Sequence, residues 1–204
     1  MKKSVFFARA SFMLLSLAYG DGFHDDFSNP NLKSRQALRG EWTFKNGAAR
    51  CVADPELYKK FKNHGPILRW PAEFTDGTLE FEFQPKNCQR VIITLNEKGH
   101  VFRMLFHDAQ RTRFFGWIGQ SSKTNKPKKI AKEGVPTIND LNGKWIKSKI
   151  VFHGNTADIT YGDYKATLNH ESIGRKKGEF TISFASGEIA VRNVRLTVEG
   201  RTSK

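Results

Sequence analysis

The closing segment of the chain, from Gly178 to Val198, constrains the fold more than any other stretch. Apolar and polar residues alternate in two runs around Ser186-Gly187, and Phe180, Ile182 and Phe184 share one face of the first run. An alternation of period two is typical of strands that bury one face and expose the other. The Ser-Gly pair predicts a tight antiparallel return. We therefore expect a β-sandwich whose last strand closes a sheet.

Most of the remaining chain consists of short alternating runs bounded by turn residues. Asn46-Gly47 predicts a hairpin between the runs 40–44 and 48–52, and Asp54-Pro55 predicts the start of one brief helix that ends near residue 61. No βαβ period is present, which argues against nucleotide-binding α/β folds. The pattern predicts an all-β, two-sheet antiparallel jelly-roll sandwich with one short helix. Further strands are predicted at 67–70 (ending in a turn at Pro71), 78–83, 90–95, 101–106, 112–118, 144–152, 157–161 and 164–168, with a long polar loop over 121–142.

The first twenty residues have the composition of a secretory signal peptide. A basic start precedes a short apolar core over residues 10–17, and Ala18-Tyr19-Gly20 then supplies small residues at the −3 and −1 positions of a cleavage site. This apolar core is too short to span a bilayer. We expect cleavage near Gly20, export as a secreted or periplasmic protein, and one mature jelly-roll domain over residues 21–204.

The chain is strongly basic, with a formal net charge of +14 at pH 7. A basic exported protein meets acidic polymers, including uronate-bearing or sulfated polysaccharides, wall teichoic acids and lipid headgroups. The same charge can also serve only to keep a protein soluble. The aromatic and basic motifs of RNA-binding modules are missing, and no second apolar stretch has membrane length. We therefore expect neither a nucleic-acid partner nor a membrane span.

The two cysteines, Cys51 and Cys88, allow one disulfide in an oxidising compartment but do not demand it, because a domain of this size has a sufficient core. Neither cysteine stands in a CxxC pair, and the His-x3-His spacing of zinc sites is also missing. The sequence therefore predicts no metal site and no evident cofactor. A divalent cation stays open, without a motif to support it.

Five segments lie at expected strand ends and turns: Asp25-Asp26-Phe27, Gly40-Glu41-Trp42, the run from Phe74 to Phe83, Gly143-Lys144-Trp145, and the run from Val191 to Leu196. They resemble the strand ends and turns of concanavalin-like and laminin-G-like jelly rolls. Over nearly all of the expected mature chain, the sequence most resembles the 3-keto-disaccharide hydrolase domain family of exported bacterial proteins. The resemblance implies a jelly roll that hydrolyses a 3-keto-glycoside or a related glycan.

Glu80 and Glu82 are the candidate catalytic carboxylates, and His107 is a third candidate. The two glutamates share the outward face of one strand, with backbones about 6.5–7 Å apart, within the range of an acid–base pair in glycosidases. Family-16 glycosidases, however, carry a Glu-x-Asp-x-Glu or Glu-x-Asp-x-x-Glu strand, and Glu80-Phe81-Glu82 lacks its central Asp. Outward glutamates are also common on a solvated strand face, so the sequence leaves open whether the protein is an enzyme.

Arg69, Arg103 and Arg113 are the candidate sugar-binding cations, and Trp117 is the candidate stacking platform. Each arginine alternates with apolar neighbours and so points outward on its strand. If these strands neighbour the one that carries Glu80, guanidinium groups, carboxylates and aromatic rings share one surface. Such a surface suits sugars, whose hydroxyls form hydrogen bonds and whose apolar faces stack on rings.

A lysine-rich stretch between residues 123 and 132 has no acidic residue and is predicted to be a mobile loop. Its lysines either are simply solvated or act as an electrostatic clamp for an anionic polysaccharide at the rim of a sheet. The candidate contacts are Lys123, Lys126, Lys128 and Lys129.

Three functions follow as hypotheses. The first is an exported carbohydrate-active jelly roll, which by resemblance hydrolyses 3-keto-glycosides or related glycans. The second is a non-catalytic carbohydrate-binding or adhesion module for a neutral or anionic polysaccharide, which the missing catalytic motif favours. The third is a basic envelope protein that binds anionic wall polymers or nucleic acid.

Overall fold

The computed structural model describes residues 22–108 and 110–199, which form fifteen strands and two short helices. The predicted signal peptide and its cleavage point lie outside these residues. The helices are α1 (Pro55–Lys60) and α2 (Ile138–Leu141). The strands are β1 (Phe23–Asp25), β2 (Gln36–Leu38), β3 (Thr43–Lys45), β4 (Ala48–Val52), β5 (Ile67–Phe74), β6 (Gly77–Lys86), β7 (Arg90–Asn96), β8 (His100–His107), β9 (Arg113–Gly116), β10 (Lys128–Ile130), β11 (Ile146–His153), β12 (Thr156–Tyr161), β13 (Tyr164–Asn169), β14 (Lys177–Ala185) and β15 (Glu188–Val198).

The strands form two antiparallel sheets, which confirms the predicted all-β jelly-roll sandwich. Sheet A has the order β13-β12-β11-β6-β15-β4-β3, and β1 also pairs with β15. Sheet B has the order β10-β9-β8-β7-β14-β5-β2. No helix in the described part of the chain has the length and apolar character needed to cross a membrane.

The core between the sheets is built from the apolar positions of the alternating strands. Phe180 of β14 stacks on Trp70 of β5 with ring centroids 5.3 Å apart, and it meets Phe81 of β6 at 5.5 Å. All three rings are at most 1% exposed. The alternation in the sequence therefore places the correct side chains in the core, and their polar neighbours point to the outer face of each sheet.

The two closing strands do not pair with each other, and this corrects the expected antiparallel return. Ser186 and Gly187 form a turn with φ angles of 60° and 68°, but β14 pairs with β7 and β5 in sheet B, whereas β15 pairs with β6, β4 and β1 in sheet A. Both strands are therefore central, so β15 does not close a sheet edge. Alternation reports which face of a strand is buried, and both sheets bury their faces in one shared core.

The local turn and cap predictions are confirmed at the start of the domain. Asn46 and Gly47, with φ angles of 54° and 68°, join β3 to β4. Asp54 caps α1, because its side chain accepts hydrogen bonds from the backbone amides of Glu56 and Leu57 at 2.7 and 3.3 Å. Short-range side-chain chemistry is sufficient to determine both features.

Two predicted loop features are instead regular structure. Pro71 lies within β5 and does not end it. The pairing of β5 with β2 ends at Arg69, so this side of β5 is a sheet edge at Pro71. A missing N–H group is tolerated on such an edge. The lysine-rich loop contains the edge strand β10, which pairs with β9. The helix α2 also interrupts the predicted polar loop, and the backbone N–H of Thr137 donates to Asp140 there at 2.7 Å.

A buried ion pair attaches the N-terminal segment to the core. Asp25 and Arg35 have side chains only 2% exposed, and both carboxylate oxygens of Asp25 accept from Arg35 Nη1 at 2.8 Å. Asp25 also accepts from Trp70 Nε1 at 2.9 Å. The Arg35 guanidinium lies over the rings of Phe27 and Phe44, at 5.0 and 4.0 Å from their centroids.

Candidate functional site

The candidate residues are divided between the two outer faces of the sandwich. Glu80 and Glu82 lie on β6 in sheet A, whereas Arg69 and Arg103 lie on β5 and β8 in sheet B. The strands with the candidate arginines do not neighbour the strand with the carboxylates, so the predicted combined surface of glutamate, arginine and aromatic side chains does not form. Sequence alternation identified outward side chains correctly but could not assign them to a sheet.

The carboxylates lie in an open cavity of about 660 Å³ on the outer face of sheet A. Glu80 lies opposite Lys149 of β11 and Arg195 of β15. Glu82 accepts hydrogen bonds from Arg192 Nη2 at 2.7 Å and from Asn193 Nδ2 at 2.9 Å. Although burial opposes them, these hydrogen bonds hold the pKa of Glu82 below its ordinary value. Glu82 is therefore an ion-paired carboxylate that stays charged.

The outer face of sheet B carries a second cavity of about 410 Å³, here called the groove. One transverse row of paired residues crosses it, with Arg103 opposite Thr94, Thr94 opposite Thr181, and Thr181 opposite Arg69. The two short threonine side chains are at most 5% exposed and lie between the two long arginines. This alternation of long and short side chains forms a trough that runs between Arg69 and Arg103.

One wall of the groove comes from α1 and the segment that follows it. Tyr58 of α1 and His64 line the cavity beside Arg90 of β7, and Arg90 Nη2 donates a hydrogen bond to the Tyr58 hydroxyl at 2.8 Å. Arg39, which follows β2, also lines the cavity. The helix that Asp54 caps therefore positions the phenol of Tyr58, and the segment after the helix positions the imidazole of His64.

A continuous chain of polar contacts crosses four strands of the groove. His100 Nδ1 lies 2.8 Å from Asn96 Oδ1, and Asn96 Nδ2 donates to Glu179 Oε1 at 2.7 Å. Glu179 Oε2 then lies 3.0 Å from Arg69 Nε. At the other end, Arg103 Nη2 donates to His100 Nε2 at 2.8 Å. These contacts hold both arginines in place before any ligand binds.

The electrostatics of these polar contacts favour a neutral His100 between charged neighbours. Burial lowers the pKa of His100 to about 4, and the Arg103 charge acts in the same direction. Burial also lowers the pKa of Arg103, but an arginine stays protonated in proteins. The Nε atoms of Arg69 and Arg103 are buried and have no hydrogen-bond partner among the described residues, although Arg69 Nε has the Glu179 ion pair.

Trp117 is not the exposed stacking platform that the sequence suggested. It is only 4% exposed and packs against two groove residues, with its ring 5.1 Å from that of His100 and 5.3 Å from the Arg103 guanidinium carbon. Arg175 Nη1 also donates to the Trp117 carbonyl at 2.6 Å. Trp117 therefore supports the side chains of His100 and Arg103 and does not offer an exposed ring to a sugar.

His107 lies at the opposite end of β8 from His100 and does not line the groove. Its Nδ1 lies 2.8 Å from Asp108 Oδ1. Neither Glu80 nor Glu82 is on the same sheet, so the three candidate catalytic residues do not form one cluster.

Arg113 and Lys129 lie together at the edge of sheet B, next to the groove. They line a smaller cavity of about 310 Å³ between β9 and β10. Lys123 and Lys126 are exposed in the segment that precedes β10. Lys128, the neighbour of Lys129 on β10, is also exposed. It lies opposite Gly116 and does not line this cavity.

Sequence reasoning missed Asn96 and His100 as groove residues, and it missed Glu179 as the carboxylate beside the groove that pairs with Arg69. A signal existed for Glu179, because it alternates with Phe180 and must therefore point outward from β14. Asn96 likewise shares the outward parity of Thr94 on β7. The sequence could not show that these strands are neighbours. Their adjacency depends on pairs such as Asn96 and Glu179, which are far apart along the chain.

Cys51 and Cys88 are both buried free thiols, so the disulfide left open by the sequence is not formed in the structure. Burial raises the pKa of Cys51 to about 12 and that of Cys88 to about 11. Among the described residues, no group of three or more His, Cys, Asp or Glu side chains is placed to hold a metal ion.

No protein-family model and no curated protein matches this sequence. Its fold, in contrast, is similar to many solved structures. The Bacillus licheniformis beta-glucanase is 14% identical with a TM-score of 0.61, and the match covers 88% of this chain and 99% of that one. A carbohydrate binding module from Bacillus subtilis is 13% identical with a TM-score of 0.58, covering 80% of this chain and 96% of that one.

A third similar structure is LamA from Zobellia galactanivorans in complex with laminaritriose and laminaritetraose. It is 12% identical with a TM-score of 0.61, over 88% of this chain and 99% of the other. At such low identities these likenesses establish the fold alone. They agree with the concanavalin-like jelly roll predicted from the sequence.

Proposed function

We propose that the protein binds carbohydrate in the groove of sheet B, and that it prefers chains that carry acidic groups. The observation that carries this proposal is the charge of the groove. Four arginines, Arg39, Arg69, Arg90 and Arg103, line it, and none of its described lining residues is acidic. Guanidinium groups bind carboxylates and sulfates with two parallel hydrogen bonds, which gives both affinity and orientation.

The remaining chemistry of the groove also suits a sugar. Ile67 and Ile92 supply apolar contacts for a ring face, while Thr94 and Asn96 supply hydrogen-bonding groups. Because Arg103 is held by His100 and packs against Trp117, it loses little conformational freedom when a ligand binds. The similarity of the fold to a carbohydrate binding module and to a beta-glucanase supports the same class of ligand.

Calorimetric titration tests this function. Acidic oligosaccharides (galacturonate and chondroitin sulfate fragments) and neutral fragments of equal length are compared at low and high salt. We expect acidic fragments to bind more tightly, with an affinity that falls as salt rises. Arg69→Met and Arg103→Met should each weaken binding about tenfold or more, the loss of a charge-assisted hydrogen bond.

The matched control for these variants is Arg195→Met, which removes an arginine from the outer face of sheet A. Binding in the groove predicts that this variant keeps the affinity of the wild type. Equal losses in all three variants would instead show that only total charge matters. No binding of any acidic fragment would refute the proposed function.

Export belongs to the same proposal. An extracellular or periplasmic location brings a basic groove into contact with acidic polysaccharides, and the N-terminal segment supports it through its signal-peptide composition. Cell fractionation and N-terminal sequencing test it directly. We expect a mature protein that begins at Asp21, and a full-length protein that stays in the cytoplasm would refute export.

Hydrolysis of a 3-keto-glycoside is the second candidate function, and the cavity on sheet A is the observation in its favour. That cavity holds Glu80 and Glu82 side by side, with Lys147 and Lys149 nearby. The ion pair of Glu82 with Arg192 suits a charged nucleophile or base better than a proton donor. Hydrolysis of a 3-keto-disaccharide that is abolished by both Glu80→Gln and Glu82→Gln would establish this activity.

A further inference from the structure

The edge pocket, which is the cavity of about 310 Å³ between β9 and β10, has cationic side chains at four of its eight described lining positions. Arg111, Arg113, Lys129 and Lys132 surround it, and none of its described lining residues carries a carboxylate. Asp140 lies within electrostatic reach of this pocket, because its pKa is lowered first by the hydrogen bonds that it accepts from Thr137 and last by the charge of Arg111. Four cations around one cavity repel each other, and an anion bound between them would relieve that repulsion.

Arg113 gives this pocket a second property of an anion site. Its Nε atom is buried and has no hydrogen-bond partner among the described residues. Its guanidinium carbon lies 5.7 Å from the centre of the Phe115 ring, which restricts the side chain. A buried donor without a partner costs free energy, which an acceptor from a ligand would recover.

The register of sheet B connects the edge pocket to the groove. Lys129 of β10 lies opposite Phe115 of β9, and Phe115 lies opposite Arg103 of β8. Lys129 therefore extends the same transverse row that contains Thr94, Thr181 and Arg69. Neighbouring strands are about 4.8 Å apart, so about 10 Å separates Lys129 from Arg103, and about 14 Å separates Arg103 from Arg69.

Apolar side chains occupy the surface between the two cationic regions. Phe115 lies in the transverse row itself, and the adjacent row places Arg113 opposite Leu105 and Leu105 opposite Ile92. All three apolar side chains are partly exposed on the outer face. An alternation of cationic and apolar contacts matches a polysaccharide whose acidic groups alternate with apolar ring faces.

We propose that the edge pocket binds a second acidic group, a carboxylate or a sulfate, of the same carbohydrate chain whose first acidic groups bind in the groove. The polymer then crosses the strands of sheet B from Arg69 to Lys129, over about 24 Å. This inference rests on the proposed function of the groove. It adds that the protein recognises an extended acidic polymer, not a single sugar.

Oligosaccharide length tests the inference, because a short fragment cannot reach both regions. Galacturonate and chondroitin sulfate di-, tetra- and octasaccharides are titrated into the wild-type protein. Galacturonate fragments carry only carboxylates, whereas chondroitin sulfate fragments carry carboxylates and sulfates, so a gain with length that is confined to the second series identifies sulfate as the bound group. We expect the octasaccharide to bind at least about tenfold more tightly than the disaccharide, because the second contact is intramolecular once the first has formed.

Lys129→Glu and Lys128→Glu form a matched pair of variants. The two residues are adjacent on β10 and both exposed, but successive side chains of a strand point to opposite faces. Lys129→Glu should remove the gain from disaccharide to octasaccharide and leave disaccharide binding within about threefold of wild type. Lys128→Glu, with the same change of charge, should keep the gain.

The outcomes separate this inference from the proposed function. If the disaccharide binds but longer fragments bind no more tightly, the second binding region in the edge pocket is refuted, whereas binding in the groove is not. Equal effects of Lys128→Glu and Lys129→Glu refute it as well, because only general charge would then be involved. Oligothymidylate of the same charge serves as the nucleic-acid arm, and binding as tight as that of the octasaccharide would show a general polyanion surface instead.

Discussion

Arg103 donates a hydrogen bond from Nη2 to the Nε2 atom of His100, at 2.8 Å. An arginine side chain can only donate, so Nε2 must accept and carries no proton. The proton of a neutral His100 is then on Nδ1, which lies 2.8 Å from the acceptor Asn96 Oδ1. The His100 imidazole therefore links Arg103 to the Asn96 amide. Through that amide it is linked to the Glu179 carboxylate, which pairs with Arg69.

The first prediction concerns the titration of His100. Burial, together with the nearby Arg103 charge, lowers its pKa from 6.5 to about 4. The unfolded chain therefore binds more protons than the folded protein between these values, so the contribution of His100 to stability is complete above pH 6.5 and is lost as the pH falls toward 4. With partial solvent screening, we expect this loss to be about 1–2 kcal/mol.

NMR titration of the imidazole checks this prediction directly, and urea unfolding at neutral and acidic pH checks its energetic consequence. His100→Gln should show a smaller acid loss of stability than the wild type. His64→Gln, at an exposed histidine, is the control and should leave the wild-type loss unchanged. An imidazole that titrates near 6.5 would contradict the prediction.

The second prediction is that Glu179→Gln strengthens the binding of acidic oligosaccharides. Glu179 carries a negative charge beside the groove and pairs with Arg69 Nε at 3.0 Å. Its neutral analogue can still accept from Asn96, so the local geometry should persist while Arg69 becomes free for the ligand. A charge removed at this range changes affinity by about 1 kcal/mol, or about fivefold.

Calorimetry with a galacturonate disaccharide measures this effect. Glu188→Gln on β15 is the control, since it removes a carboxylate from sheet A that pairs with Lys86 and Arg50. Its affinity should match that of the wild type. Weaker binding by Glu179→Gln would show that the carboxylate contacts the ligand itself.

The third prediction is that Asp25→Asn costs about 3–5 kcal/mol of unfolding free energy, because it leaves the buried Arg35 without its ionic partner. The adjacent Asp26 is exposed, and its side chain accepts from the Ser28 amide at 2.9 Å without a buried cationic partner. Asp26→Asn should therefore cost far less unfolding free energy than Asp25→Asn. Chemical denaturation measures both variants, and similar losses would contradict the importance of the buried pair.

The fourth prediction concerns the thiols. Burial raises the pKa of Cys51 to about 12 and that of Cys88 to about 11, so neither forms a reactive thiolate near neutral pH. A thiol reagent should label neither cysteine in the folded protein and both after unfolding in guanidinium without reductant. Cysteines that stay unlabelled after unfolding would reveal a disulfide.

Local sequence signals anticipated much of this architecture. Asn46-Gly47 and Asp54 determine a turn and a helix start through contacts with residues at most three positions away. Alternation likewise showed that Arg69, Arg103 and Glu80 point out of the core. Such features depend on neighbours along the chain, so they can be predicted without knowing which strands pair.

The closing segment shows where this reasoning ends. The sequence by itself determined that 180–184 and 189–198 are strands with one buried face, and that Ser186-Gly187 turns the chain between them. Only the tertiary structure decided that the turn leads from sheet B to sheet A, because strand pairing depends on distant partners such as 91–96 and 77–86. Strand pairing also places Glu80 and Arg103 in different sheets and brings Lys129 into the same transverse row as Arg103. The reason is that the neighbours of a side chain across a sheet depend on which strands pair, whereas alternation along one strand determines only which face the side chain is on.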